Sequence, residues 1–240
     1  MRCHQQKGCC NPLRPLKGEL ETFIMSRTLD NLNTFQSPLQ GGRGSIAIIK
    51  YNAGNVQSVL YALQRIGASA FVTDDPKQIA EADKVIFPGV GHATPAMQYL
   101  IERGLDKLIV GLKQPVLGVC LGQQLMCNHS EEGDTACLGI FDTEVKLFVS
   151  AKPEVKVPQM GWNNIYDYKS VLFDGLDKNA FVYFVHSYYA ALCKETIATT
   201  DYILPYSSAL QKDNFYAVQF HPEKSGTVGE TILKNFINIK

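Results

Sequence analysis

No stretch of this 240-residue chain approaches the roughly 18 consecutive apolar residues that a membrane-spanning helix requires. No apolar segment follows Met1 in the manner of a secretory signal. An excess of charge is lacking too, because 23 basic residues balance 23 acidic ones. That balance points neither to nucleic acid nor to an anionic membrane surface. No internal repeat or low-complexity segment is present. A disulfide framework is also missing. The seven cysteines (Cys3, Cys9, Cys10, Cys120, Cys127, Cys137 and Cys193) are odd in number and irregular in spacing. Such usage suits a reducing compartment, and the expected location is the cytoplasm. The adjacent Cys9 and Cys10 match no zinc-ligand spacing, and no metal constellation is visible in the sequence.

What the chain does contain falls into two parts. Residues 1–44 hold three cysteines, scattered basic residues and the loop-like SPLQGGRGS, with one apolar cluster at 20–25. They are expected to form a poorly structured N-terminal extension. Residues 1–18 carry basic but no acidic side chains, as a targeting segment would; the lack of serine there argues against that reading. Regular alternation starts at Ser45. SIAIIKY, SAFVTDD, KVIFPGVG and PVLGVC read as buried strands. Between them lie helical segments. Val56, Val59, Leu60 and Leu63 share one face of the first, Pro76 opens the second, and Gly104 interrupts the third. This β-α alternation predicts an α/β domain over 45–240, with a mostly parallel central sheet and helices on both faces. From about residue 138 the pattern becomes β-rich: GIFDTEVKLF, FVYFVHSYYA and FYAVQFHPE read as strands, and GETILKNFINI as a closing helix.

The fourth strand ends at Gly118-Val119-Cys120-Leu121-Gly122. In sheets of this kind, ligands bind beyond the carboxyl ends of the strands. Glycines on both sides of a polar residue at such an end suggest a nucleophile elbow, a tight turn that lifts one side chain out of the sheet. The following helix start favours a thiolate, and the Leu121 N–H would point at an oxyanion beside the sulfur. A buried structural cysteine also fits the elbow taken alone. A thiolate nucleophile needs a base and a group to orient it. Among five histidines only His221 has an acidic neighbour two residues on, Glu223, near a predicted strand end. On a strand both side chains would project to one side, and the carboxylate would hold the imidazole in a proton-accepting tautomer. By itself, this pair also fits a solvated strand terminus.

Taken together, GVCLGQQLM and VQFHPEKS resemble the signatures of class I, triad-type glutamine amidotransferases, and FPGVGHA resembles that family's oxyanion loop. The resemblance implies a flavodoxin-like fold and hydrolysis of L-glutamine to glutamate and ammonia. It assigns Cys120 as nucleophile, His221 as acid and base, and Glu223 as its orienter. It places Val90, Gly91 and Leu121 at the oxyanion, and Gly91, Gln124, Glu132, Ser187 and Tyr188 around the substrate. YNAGN, PQMGWN, YFVHSY and the lysine of HPEKS are similar to segments of the glutaminase subunits of imidazole glycerol phosphate synthases. That likeness implies a separate (β/α)8-barrel cyclase partner in a heterodimer, touching Asn52, Asn55, Trp162, Tyr183 and Lys224. Gln159 departs from the pattern, which more often has histidine there, and His186 receives no catalytic step. A glutaminase of another biosynthetic pathway, or a cysteine hydrolase of similar topology, is the alternative.

Overall fold

The computed structural model describes residues 44–51 and 55–240. The extension expected over 1–44 therefore lies outside the described residues apart from Gly44, and so does Asn52. Four short parallel strands carry the first half: β1 (Ile46–Ile49), β2 (Ala70–Thr73), β3 (Lys84–Phe87) and β4 (Val116–Val119). Between them run α1 (Val56–Arg65), α2 (Pro76–Glu81), α3 (Ala93–Glu102) and α4 (Leu105–Gly111). Asp75 caps α2 by accepting the Lys77 N–H at 2.8 Å, with Pro76 in the first turn where no N–H is needed. Gly104 takes φ 65° and separates α3 from α4, a conformation glycine adopts without a side-chain penalty.

Apart from Thr73 and Lys84 at strand ends, these strands are apolar because both faces of the sheet are covered. Ile46, Ile48, Ile86, Leu117 and Val119 face one core, with Leu63 of α1 and Phe236 of the closing helix α6 (Gly226–Asn238). Ala47, Ile49, Val85, Phe87 and Val116 face the other, with Ile79, Met97 and Ile109. Alternate side chains thus leave opposite faces. The apolar face of α1 is shifted slightly from expectation: Ala62 joins Val59, Leu60 and Leu63 in burial, and Val56 is half-buried.

The main sheet has seven strands in the order β11-β12-β13-β4-β3-β1-β2. Its far side is formed by β11 (Thr196–Asp201), β12 (Pro205–Lys212) and β13 (Phe215–Val218). β13 lies parallel to β4, and β12 and β11 follow antiparallel. A four-stranded sheet contains β5 (His129–Ser130), β6 (Thr135–Ala136), β7 (Glu144–Leu147) and β10 (Tyr188–Ala190). A two-stranded ribbon pairs β8 (Gln159–Asn164) with β9 (Phe181–His186).

Two sequence readings change here. FVYFVHSYYA is two strands, not one. Ser187 breaks it, its carbonyl accepts the Phe148 N–H at 2.9 Å, and the two pieces join different sheets. GIFDTEVKLF contributes a strand only over Glu144–Leu147. β11 and β12 bring buried Thr and Ser inside, which conceals them from an apolar-pattern search. Thr196 and Ser207 hydroxyls satisfy one another at 2.7 Å, and the Ser207 hydroxyl donates to the Ala191 carbonyl at 2.8 Å. Such pairing offsets the cost of burying these hydroxyls, although the buried Ser208 hydroxyl of β12 has no partner among the described residues. Among the described residues no helix is long and apolar enough to cross a membrane.

Candidate active site

The turn after β4 is strained as an elbow must be. Cys120 sits at φ 54°, ψ −108°, a conformation that costs a non-glycine residue about 1–3 kcal/mol. The surrounding bonds hold it there. Its N–H donates to the Val218 carbonyl of β13 at 2.8 Å, and its carbonyl accepts Gln123 N–H at 3.0 Å and Gln124 N–H at 3.3 Å, starting α5 (Leu121–Leu125). The flanking glycines are steric requirements. A methyl group on Gly122 would land on the Phe87 carbonyl, and one on Gly118 would meet Met126 Sδ at 2.9 Å. The helix therefore packs directly on the backbone of β3.

His221 and Glu223 arrive from the other half of the chain. The sequence pattern puts them on a strand, but β13 ends at Val218. His221 caps a 3-10 turn, Pro222–Lys224, and this turn, not strand alternation, brings Glu223 back. His221 Nδ1 and Glu223 Oε1 are 2.8 Å apart with both side chains 2% exposed. His221 Nε2 has no hydrogen bond of ordinary geometry and faces the Cys120 sulfur. Burial pulls the imidazole pKa down, but Cys120 and Glu223 together outweigh it and raise the value to about 10. An imidazolium between a sulfur and a carboxylate is thereby favoured at neutral pH. Ser225 fixes the backbone beneath it, its hydroxyl donating to the His221 carbonyl at 2.6 Å and accepting the Tyr183 N–H at 3.0 Å.

The oxyanion side differs from expectation. Leu121 N–H does not point into an open site; it donates to the Gly89 carbonyl at 3.3 Å. Gly89 lies in the Pro88-Gly89-Val90-Gly91 turn after β3, where Pro88 and Gly89 are buried and Val90 and Gly91 exposed. Gly91 has φ 118°, open only to glycine at low cost.

Of the residues expected around the substrate, Gln124 and Tyr188 are directly hydrogen-bonded. Gln124 Nε2 donates to the Tyr188 carbonyl and to Gln219 Oε1, both at 2.9 Å. Gln219 Nε2 in turn reaches Cys120 Sγ at 3.7 Å. Sequence reasoning passes over Gln219, although it lies two residues before His221. Glu132 Oε2 accepts the Ala93 N–H at 2.7 Å, so its carboxylate caps α3. Burial chiefly raises the Tyr188 phenol pKa, and the charges of Glu132 and Glu131 add to it. Ser187 is half-buried beside Tyr188. His186 belongs to a structural network. Its Nδ1 faces the Tyr188 carbonyl at 2.7 Å and its Nε2 the Tyr206 hydroxyl at 3.3 Å, and Tyr206 donates to Gln159 Oε1 at 3.0 Å. Burial lowers the His186 pKa to about 4, so it stays neutral. Gln159 is thus an internal acceptor.

A family model described as Glutamine amidotransferase class-I matches residues 47–239. The chain belongs to that family. It is 60% identical over 194 residues to an imidazole glycerol phosphate synthase subunit HisH of Bacteroides fragilis, covering 81% of this chain and 99% of that protein. The HisH protein of Pectobacterium atrosepticum is 44% identical over 196 residues, again 81% and 99% of the two chains. Among solved structures, a glutamine amidotransferase from Thermotoga maritima superposes with a TM-score of 0.55 at 15% identity, covering 82% of this chain and 83% of that one. That last likeness speaks to the fold.

In this amidotransferase the residues expected at a partner interface also converge. Trp162 of β8 stands opposite Tyr183 of β9 in register, ring centroids 6.2 Å apart and nearly perpendicular. Lys224 Nζ lies 5.9 Å over the Tyr183 ring. Trp162 is 56% exposed and its neighbour Met160 is 67% exposed. The face is coupled to the site, because the His221 N–H donates to the Tyr183 carbonyl at 2.9 Å. Asn55 precedes α1, its Oδ1 accepting the Ser58 hydroxyl at 2.8 Å.

Proposed function

We propose that this amidotransferase hydrolyses L-glutamine through Cys120, His221 and Glu223 and delivers the ammonia to a separate (β/α)8-barrel cyclase subunit, in the cytoplasm, as the glutaminase subunit of an imidazole glycerol phosphate synthase. The observation that carries the reading is the buried His221–Glu223 pair facing a cysteine on a strained elbow. His221 takes the proton of the Cys120 thiol, and the sulfur attacks the side-chain amide carbon of glutamine. The tetrahedral oxyanion forms beside Leu121 and the Val90–Gly91 turn. His221 gives its proton to the amide nitrogen, the C–N bond breaks, ammonia leaves, and a thioester remains. Water then loses a proton to His221 and attacks the thioester carbon; glutamate departs and the thiol is restored. Glu223 keeps Nδ1 protonated so that Nε2 does the exchange. Tyr188, Ser187, Gln124 and Glu132 hold the substrate, Glu132 through the α-ammonium.

Ammonia released into water at neutral pH would be protonated and lost as a nucleophile. A docked barrel prevents that loss, and the exposed Trp162, Tyr183 and Lys224 cluster supports such docking, as does the 60% identity to a synthase subunit. In the orientation of the Gly89 carbonyl seen here, the Leu121 donor is occupied. The free chain is therefore slow and accelerates when the partner holds its nucleotide, the missing donor being worth about 10²–10³ in rate. The test is glutamine turnover of the chain alone, with a barrel cyclase, and with cyclase plus nucleotide ligand. Equal rates in all three would refute the coupling.

A further inference from the structure

The turn that blocks the oxyanion donor is held by a residue outside the triad. Tyr51 follows β1 and is 6% exposed. Its hydroxyl donates to the Pro88 carbonyl at 2.5 Å, and its ring packs on Phe87 with centroids 5.3 Å apart. The same hydroxyl fills the space where a side chain on Gly89 would begin, and Leu121 Cβ and the Gly122 N–H group crowd the same point. A side chain at Gly89 would therefore have no room beside the Tyr51 phenol and the first turn of α5. Gly89 presents its carbonyl to Leu121 N–H. The Pro88–Gly89 peptide is held by this buried hydrogen bond from Tyr51, and it directly precedes the peptide whose carbonyl occupies the Leu121 N–H. Burial is the main cause of the upward push on the Tyr51 phenol, so the group remains a neutral donor.

We propose that the Tyr51 hydroxyl is a positioning group that holds the Pro88–Gly91 turn with its Gly89 carbonyl on the Leu121 N–H, and so restrains glutamine hydrolysis in the free chain. This rests on the glutaminase reading above. The turn has two usable orientations. In one the Gly89 carbonyl satisfies Leu121; in the other the rotated peptide offers the Val90 N–H to an oxyanion. A group bonded to the turn in the first orientation sets the population of the second, and kcat of the free chain follows that population. Ground-state binding of glutamine does not use the donor, so KM should not follow it.

The experiment compares the full chain with its Tyr51→Phe variant, which keeps the ring on Phe87 and removes only the hydroxyl. Without a partner, kcat for L-glutamine should rise roughly five- to tenfold, the factor one net hydrogen bond is worth, with KM unchanged. The stimulation by a barrel cyclase and its nucleotide ligand should shrink by the same factor. Alkylation of Cys120 by iodoacetamide, a displacement that forms no oxyanion, should keep its rate. Placing 3-fluorotyrosine at position 51 retains the fold and strengthens the donor, and should lower the free-chain kcat. The proposal is overturned if a folded Tyr51→Phe protein has an unchanged or lower kcat, if its alkylation rate rises in parallel with kcat, or if the fluorinated residue leaves turnover unchanged or higher. Cys120→Ala, run alongside, separates the two claims: glutamine turnover surviving in it would defeat the glutaminase assignment itself, whereas its loss with no Tyr51 effect would defeat only the restraint.

Discussion

Residues 46–119 and residues 128–223 deliver their parts of the site by different means. The first region is a set of apolar strands buried on both faces, and it ends in one rigid elbow. The second is a patchwork of short strands, turns and buried hydroxyls that carries His221, Glu223, residues expected around the substrate, and the exposed ribbon. Rigid packing suits a nucleophile whose backbone strain must be maintained against relaxation. Polar, irregular structure suits groups that must move a proton, read a substrate and respond to a docked partner. The two are joined where β13 lies parallel to β4, where Cys120 N–H bonds the Val218 carbonyl of β13, and where Glu132 accepts the Ala93 N–H.

Removing the nucleophile puts this division under the greatest strain. Cys120→Ala should abolish glutamine turnover while the melting temperature stays near wild type and added ammonium at high pH still supports the cyclase partner. Residual glutamine-dependent turnover above a few per cent would mean that the elbow is only structural. Next comes Glu223→Gln, which leaves the shape of the turn but removes the charge that steadies His221. Its expected cost is about 10²–10⁴ in kcat, the range for a disabled general acid-base group; a loss under tenfold would remove Glu223 from the mechanism.

A smaller effect is expected at the ribbon. Trp162→Ala should leave free-chain stability within about 0.5 kcal/mol, as for an exposed residue. It should weaken assembly with the barrel partner by roughly thirtyfold, since an aromatic anchor at an interface is worth about 2 kcal/mol; titration calorimetry decides, and unchanged affinity would move the interface elsewhere. The smallest effect is on the pH dependence of stability. The folded-state pKa of His221 is raised to about 10, so its pairing contributes fully below the unfolded value near 6.5. The contribution fades as pH rises through about 10. The melting-temperature gap between wild type and Glu223→Gln should therefore narrow between pH 7 and 10.5, and a gap that widens would show that the imidazole is neutral in the folded protein.

Legibility in the sequence tracks the same division. Gly118, Cys120 and Gly122 announce the elbow because steric exclusion acts over five adjacent residues: a side chain on Gly122 has nowhere to go but into Phe87. The strands of the first region are readable because burial on both faces demands unbroken apolar runs. In the second region β11 and β12 hide Thr200 and Ser207 inside, and nothing in a linear string says that their hydroxyls have found partners in Asn164, Thr196 and Ala191. Gln219 and Tyr51 escape a linear reading for the same reason. Their roles are hydrogen bonds to Cys120 Sγ and to the Pro88 carbonyl, 99 and 37 positions away along the chain.

His221 and Glu223 illustrate the boundary. Their pairing is legible as two residues at close spacing, but the strand geometry that spacing suggests does not exist. A proline at 222 turns the chain into a 3-10 segment, and that turn makes the contact. The alternating α/β architecture and the elbow are already written in the order of residues, because each depends on local sterics or on apolar periodicity. Three features came only with the folded arrangement: His221 is buried against both a sulfur and a carboxylate, Ser187 splits one apparent strand between two sheets, and the Leu121 N–H is already occupied by Gly89. Those depend on distances between segments far apart in the chain, and such distances are set by packing.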